Sequence, residues 1–261
     1  MRWPGRRGAG VAGEGGPRLP FADRREAGRV LARRLAPLGV APSTVVLGVS
    51  RGGVPVAAEV AAALGLELDV VVAHKVGAPA DPEFAIGAAA ADGTLLVAPW
   101  AAEFGEVSLV EARRAAEVEV ARAREREVRL RGDLPRLDLA GRPAIVVDDG
   151  IATGATLEVA ARAARAAGAG PVWIAAPVAA PGAAARLRPV AERVVVLAEP
   201  VGFFAVGQWY REFEQLDDVE VNAILATARA AVDTGAARGP RARAGSDGRG
   251  SADGADDRGG R

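Results

Sequence analysis

The chain has 261 residues with 33 basic and 33 acidic side chains, so its formal charge cancels and no basic footprint for nucleic acid stands out. It contains no cysteine and one histidine, His74, which excludes disulfides, thiolate chemistry and a multi-histidine metal site and is compatible with a cytoplasmic protein. Half of the residues are hydrophobic but only 4% are aromatic, so the core must be packed from Val, Leu, Ile and Ala.

Residues 1–20 are rich in Gly, Arg and Pro and residues 233–261 in Gly, Arg and Asp, both without periodicity, and too few of their side chains are apolar to offset chain entropy. Disordered tails are expected there, flanking one domain over residues 21–232. The basic start leads into no apolar stretch, so no secretory leader is expected.

The elements alternate along the domain. Ala27, Val30, Leu31, Leu35 and Leu38 recur at helical spacing after Asp23, a candidate cap. Residues 44–49 read as a buried strand. A helix follows over residues 54–65, with Pro55 in its first turn and Gly65 as its stop. Residues 68–74 read as one strand. Residues 84–97 hold a hairpin turning at Asp92-Gly93. Residues 106–131 form a long helix of interspersed charge, read as a solvated face and a candidate for a dimer contact. Strand, helix, strand, strand then follow over residues 143–149, 155–168, 171–178 and 193–199. Residues 166–185 are uncharged, but Gly168, Gly170, Pro171, Pro177, Pro181 and Gly182 interrupt them, which argues against a membrane span. Short apolar strands separated by helices predict an α/β fold: a parallel twisted sheet covered on both faces.

The chemistry is densest in VVDDGIATGAT, residues 146–156. In an open parallel sheet, ligands bind beyond the carboxyl ends of the strands, where Asp148 and Asp149 are expected. Two adjacent carboxylates repel unless cations or hydroxyl donors compensate; a ribose offers vicinal hydroxyls and a magnesium ion offers charge. Gly150 and Gly154 permit a tight turn and a close approach to a ligand. The helix beginning near Ala155 presents free amides to an anion, and Thr153 and Thr156 add hydroxyls. Gly150, Ala152, Thr153, Gly154, Ala155 and Thr156 together describe a phosphate cradle. Arg51-Gly52-Gly53, between a strand and a helix, offers a second anion site with a planar guanidinium fork.

This stretch resembles the phosphoribosyl pyrophosphate signature of type I phosphoribosyltransferases. GVSRGGVPVA (48–57), HKVGAP (74–79), EFAIGA (83–88) and VGQWYREFEQ (206–215) are similar to a subgroup of phosphoribosyltransferase-like proteins, over residues 21–226. The resemblance implies a small hood or hairpin region beside the sheet. It implies that Asp148 and Asp149 hold the ribose hydroxyls and that Thr153–Thr156 bind the 5′-phosphate. It implies that Arg51, Gly52, Gly53 and Lys75 contact pyrophosphate. Mg2+ would be carried on the pyrophosphate, with Asp148 and Asp149 as its candidate protein ligands and no direct metal site otherwise. The expected reaction is transfer of the phosphoribosyl group to a nitrogenous base, with release of pyrophosphate, as in nucleotide salvage. Arg51, Lys75, Asp148 and Asp149 are its candidate catalytic residues.

The acceptor is not legible. Residues 200–215 gather Phe203, Phe204, Trp209, Tyr210 and Phe213, as either a stacking surface for a flat nucleobase or a hydrophobic clasp. His74 is read as structural or as a proton carrier, and Glu83 lies in a Pro- and Gly-rich stretch with the composition of a lid. A non-catalytic sensor of phosphoribosyl pyrophosphate or nucleotides, or a phosphosugar or nucleotide hydrolase, is compatible with the same cradle.

Overall fold

The structure, a computed structural model, describes residues 16–78, 85–97 and 108–234. Its elements in chain order are α1 (Arg24–Leu35), β1 (Val45–Val49), α2 (Gly53–Leu64), β2 (Glu67–Val71), β3 (Ala73–Gly77), β4 (Ala85–Ala90) and β5 (Leu95–Val97). Then come α3 (Leu109–Arg131), β6 (Ala144–Val147), α4 (Ala155–Ala166), β7 (Val172–Val178), α5 (Ala183–Leu187), β8 (Arg193–Ala198) and α6 (Asp218–Asp233).

Five strands form a parallel sheet in the order β2-β1-β6-β7-β8. The period-2 alternation of side chains explains why β1 and β6 read as unbroken apolar runs: they are buried on both faces. Val45, Leu47 and Val49 of β1 join Ala144 and Val146 of β6 in one core with Leu157 and Ala161 of α4. Val46, Ile145 and Val147 face the other way, against Leu31 of α1 and Val56 and Val60 of α2. The expected α/β fold with helices on both faces is therefore present. A Cβ at Gly48 would stand 2.8 Å from Val54 Cα, so the absence of a side chain there sets how closely α2 packs on β1.

The capping chemistry is local and readable. Asp23 Oδ1 accepts the Glu26 amide at 2.7 Å and starts α1. Ser108 and Glu111 close a reciprocal capping box on α3. Asp217 and Glu220 do the same on α6, a helix that periodicity alone does not predict.

One expected strand is corrected. Residues 68–74 do not form a single strand: the chain changes sheet at Val72, and β3 pairs antiparallel with β4, which pairs with β5. An apolar run buried in both sheets carries no local mark of the change. The hairpin at Asp92-Gly93 is present, with Gly93 at φ 101. This small sheet packs through Val76, Ile86 and Ala89 on Ala112, Ala116 and Val120 of α3.

A buried ionic group fastens α3 to the large sheet. Asp69 of β2 accepts from Arg131 at 2.6 Å and from the Leu137 amide at 2.9 Å, while Arg131 also donates to Glu127 at 2.9 Å. Residues 16–20 of the expected N-terminal tail are described, with Leu19 packed beside Phe21. Residues 233–234 of the expected C-terminal tail are instead the end and C-cap of α6, and residues 1–15 and 235–261, with Glu83, lie outside the described residues.

Candidate functional site

The parallel sheet places two loops on one edge. Strand β1 ends at Val49 and strand β6 at Val147, and they are hydrogen-bonded neighbours. Residues 50–52 and 148–154 therefore leave the sheet side by side, at carboxyl ends. Their contact is close: a Cβ on Gly52 would lie 2.0 Å from Asp149 Oδ2, and one on Gly53 would lie 2.8 Å from Asp148 Cα. Gly52 and Gly53 are thus required for the two loops to meet, whatever further role their backbone has. The Ser50–Arg51 peptide is cis.

The acid pair is held within the protein. Asp148 Oδ1 accepts the Asp149 amide at 2.8 Å. Asp149 is 9% exposed, and its Oδ2 accepts from Arg24 Nε at 2.8 Å. Arg24 is fixed in turn: it donates to the Glu214 carbonyl at 2.8 Å and its guanidinium lies 3.8 Å from the centre of the Phe213 ring. The Tyr210 hydroxyl donates to the Asp149 carbonyl at 2.5 Å.

Burial raises the pKa of both carboxyls. For Asp148 the neighbouring Asp149 charge adds to that effect and leaves its value well above the ordinary one. For Asp149 the Arg24 guanidinium opposes burial, and its value is still raised. Burial also raises the Tyr210 phenol, which stays a neutral donor.

Beyond the acids, Ala152 and Thr153 are exposed and α4 begins. Gly154 is the N-cap, at φ 91, a left-handed conformation that favours glycine. No side chain of that residue caps the helix; the nearest substitute is the Ala155 amide to Thr153 Oγ1, at 3.4 Å. The helix start is left accessible to an anion. Arg186 of α5 leans on the Thr153 carbonyl at 3.4 Å and adds a cation beside the loop.

The structure thus brings together Arg51, Gly52, Gly53, Asp148, Asp149 and the 150–156 loop. Lys75 lies elsewhere in the fold than a simple strand end: it is within β3 and lines a cleft against α3. His74 lines the same cleft, with Nδ1 at 3.1 Å from Glu119 Oε2. Burial is the main cause that lowers its pKa, opposed by that hydrogen bond. Among the described residues no group of three or more His, Cys, Asp or Glu side chains could hold a metal ion, and no helix is long and apolar enough to cross a membrane.

Residues 200–215 act as a clasp on their inner side. Tyr210 packs on Phe21 with ring centres 5.8 Å apart, and main-chain bonds join Phe21 to Trp209 and Arg211. Phe204 points outward and is 92% exposed. The places of Arg24, Tyr210 and Arg186 beside the acids and the loop were not apparent from the sequence. The mutual repulsion of two acids called for a cation, but nothing in DRREAGR separates Arg24 from the solvent-facing arginines beside it.

Comparison with known proteins agrees with this geometry. The phosphoribosyl transferase domain matches residues 41–207. Two Mycobacterium tuberculosis proteins, provisionally named phosphoribosyl transferases, are 45% identical over 210 residues, covering 78% of this chain. The chain spans 46% of the length of those relatives. The crystal structure of TT1426 from Thermus thermophilus superposes with a TM-score of 0.68 at 44% identity, covering 80% of this chain and 99% of that one. A fold with both loops on one sheet edge and a family match that spans them lead to one conclusion: the chain belongs to the phosphoribosyl transferase family.

Proposed function

We propose that the protein is a phosphoribosyltransferase: it binds phosphoribosyl pyrophosphate and transfers the phosphoribosyl group to a nitrogen nucleophile. One observation carries this reading. The packing of Gly52 and Gly53 on Asp148 and Asp149 sets the 50–53 and 150–156 loops, the two candidate anion sites, against one carboxylate pair. A ribose phosphate bearing pyrophosphate has that sequence of groups: phosphate, diol, diphosphate.

In this assignment the α4 start, with Thr153 and Thr156, holds the 5′-phosphate. Asp148 and Asp149 accept from the ribose hydroxyls. Arg51 binds the pyrophosphate through its guanidinium fork, and Lys75 is the second candidate cation. The acceptor nitrogen forms a bond to the ribose C1 as the C1–O bond to pyrophosphate breaks; pyrophosphate departs with the electron pair, and the acceptor N–H proton passes to a base. The two acids place negative charge near the sugar as positive charge develops there. Asp149 does this as the partner of Arg24, which fixes its orientation.

Magnesium fits as a substrate-borne ion. A two-carboxylate donor set is too small to enclose it, and this ion is commonly held by one or two carboxylates with substrate phosphates completing its shell. When bound, it would neutralise pyrophosphate charge, with Asp148 and Asp149 as the residues able to reach it.

The test is magnesium-dependent release of pyrophosphate from phosphoribosyl pyrophosphate across a panel of nucleobases. Base-dependent release is expected. Release in water alone would indicate a hydrolase, and binding without turnover for any base would indicate a sensor. Arg51→Ala should weaken pyrophosphate binding about tenfold or more while sparing ribose 5-phosphate; equal losses for both ligands would remove Arg51 from the pyrophosphate site.

A further inference from the structure

Helix α3 packs on the rest of the fold along one side only. Ala112, Ala116 and Val120 meet the small sheet, and Ala123 and Leu130 join the core beside the large one. At 3.6 residues per turn, Val110, Arg114, Val118, Ala121, Glu125 and Val128 fall together on the other side, in steps of three and four. All six are exposed, Val110 at 65%, Val118 at 51% and Val128 at 71%. The stripe runs about 27 Å along the helix. A single exposed valine is ordinary. Three on one line are not explained by helix formation, because β-branched side chains are stiff at χ1 and are poorer helix formers than alanine. Apolar residues repeating in steps of three and four are what a second helix packs against.

The stripe also reads nearly the same from either end. About a centre near Glu119 and Val120, Val110 mirrors Val128, Val118 mirrors Ala121, and Arg114 mirrors Glu125 with its charge inverted. Two copies of α3 laid antiparallel across a two-fold axis therefore set Val110 against the second copy's Val128, Val118 against its Ala121 and Arg114 against its Glu125. By symmetry each contact occurs twice. A parallel pairing would set Arg114 on Arg114 and Glu125 on Glu125, and like charges brought together oppose it. Within one chain Arg114 and Glu125 are about 16 Å apart along the helix, too far to pair with each other. The small Ala121 opposite Val118 lets the two helix axes approach.

We propose that the outward face of α3 is a self-association surface that takes the α3 of a second copy of this chain in antiparallel order. Val110, Val118, Ala121 and Val128 form its apolar seam, and the two Arg114–Glu125 crossings set its direction. One helix pair is a small interface, so the dimer dissociates in the micromolar range. The surface rests on α3 alone and is independent of the phosphoribosyl reading.

The test is sedimentation velocity of the 261-residue chain from about 1 μM to about 200 μM. The wild type should pass from monomer to dimer across that range. Arg114→Glu and Glu125→Arg, made singly, each turn both crossings into like-charge contacts and should weaken the dimer about tenfold or more. Arg114→Glu with Glu125→Arg in one chain re-forms the crossings in reversed sense and should restore association. Mixing the two single variants should yield a heterodimer tighter than either homodimer, because each chain then offers the charges the other lacks. Rescue by the double change and by mixing separates the seam from damage to the fold. A wild type that stays monomeric at the highest concentration would overturn the proposal and leave the face to another partner. A dimer untouched by either single change, or losses that neither the double change nor mixing restores, would overturn it as well.

Discussion

Asp148 and Asp149 are adjacent carboxyls whose protonation is governed by burial, and burial raises both. A carboxyl with a folded pKa above its unfolded value binds its proton more tightly in the folded state. Its stabilising contribution is full below the unfolded value, near 3.8, and is lost as pH rises through the folded value. The thermal midpoint of the unliganded protein should therefore fall, relative to Asp148→Asn, as pH is raised from about 4 to neutrality. A constant difference across that range would show that Asp148 is unperturbed. Gly52 gives a second residue-level test. An added Cβ would lie 2.0 Å from Asp149 Oδ2, so Gly52→Ala must displace the acid or the loop. Chemical denaturation should show a loss of about 1–3 kcal/mol, the usual range for overpacking; a wild-type midpoint would mean that the loop accommodates the methyl group freely. The glycine pair was legible in the sequence as a loop that could approach a ligand. Its closest neighbour turned out to be the acid pair, because contacts between distant segments leave no local pattern.

At the scale of elements, periodicity predicted α1, α2 and α4 and the five parallel strands, since each buries a regular face. It failed where burial is continuous on both sides: LDVVVAH looks like one strand although the chain changes sheet at Val72. It also missed α6, although Asp217 and Glu220 form a capping box that could have marked its start. Nor was the buried role of Arg131 visible within a helix of alternating charge. Asp69 ties β2 to α3 and lies near α6 as well, with Arg229 3.4 Å away. Asp69→Ala leaves Arg131 buried without its main partner, and about 3–5 kcal/mol of stability should be lost. A loss under about 1 kcal/mol in urea denaturation would place the ion group among the weak surface pairs instead.

Across the whole molecule, strand order decides the site. Because β1 and β6 are parallel neighbours, loops almost a hundred residues apart in the chain emerge on one edge. The sequence marked both loops as anion sites; the strand order that sets them side by side is a property of topology. The clasp from residues 200–215 then closes on the N-terminal segment and sets Tyr210, Phe213 and Arg24 around Asp149. This joins the aromatic stretch to the acid pair and leaves the identity of the acceptor to direct assay. The most direct measurement is calorimetric titration of magnesium phosphoribosyl pyrophosphate into the wild-type protein and into Asp148→Asn/Asp149→Asn, with cooperative thermal unfolding recorded for both. Donor binding to the wild type, weakened about a hundredfold or more in the double variant with its fold retained, is the expected result. Equal affinity in the two proteins would contradict the assignment of Asp148 and Asp149 to the ribose.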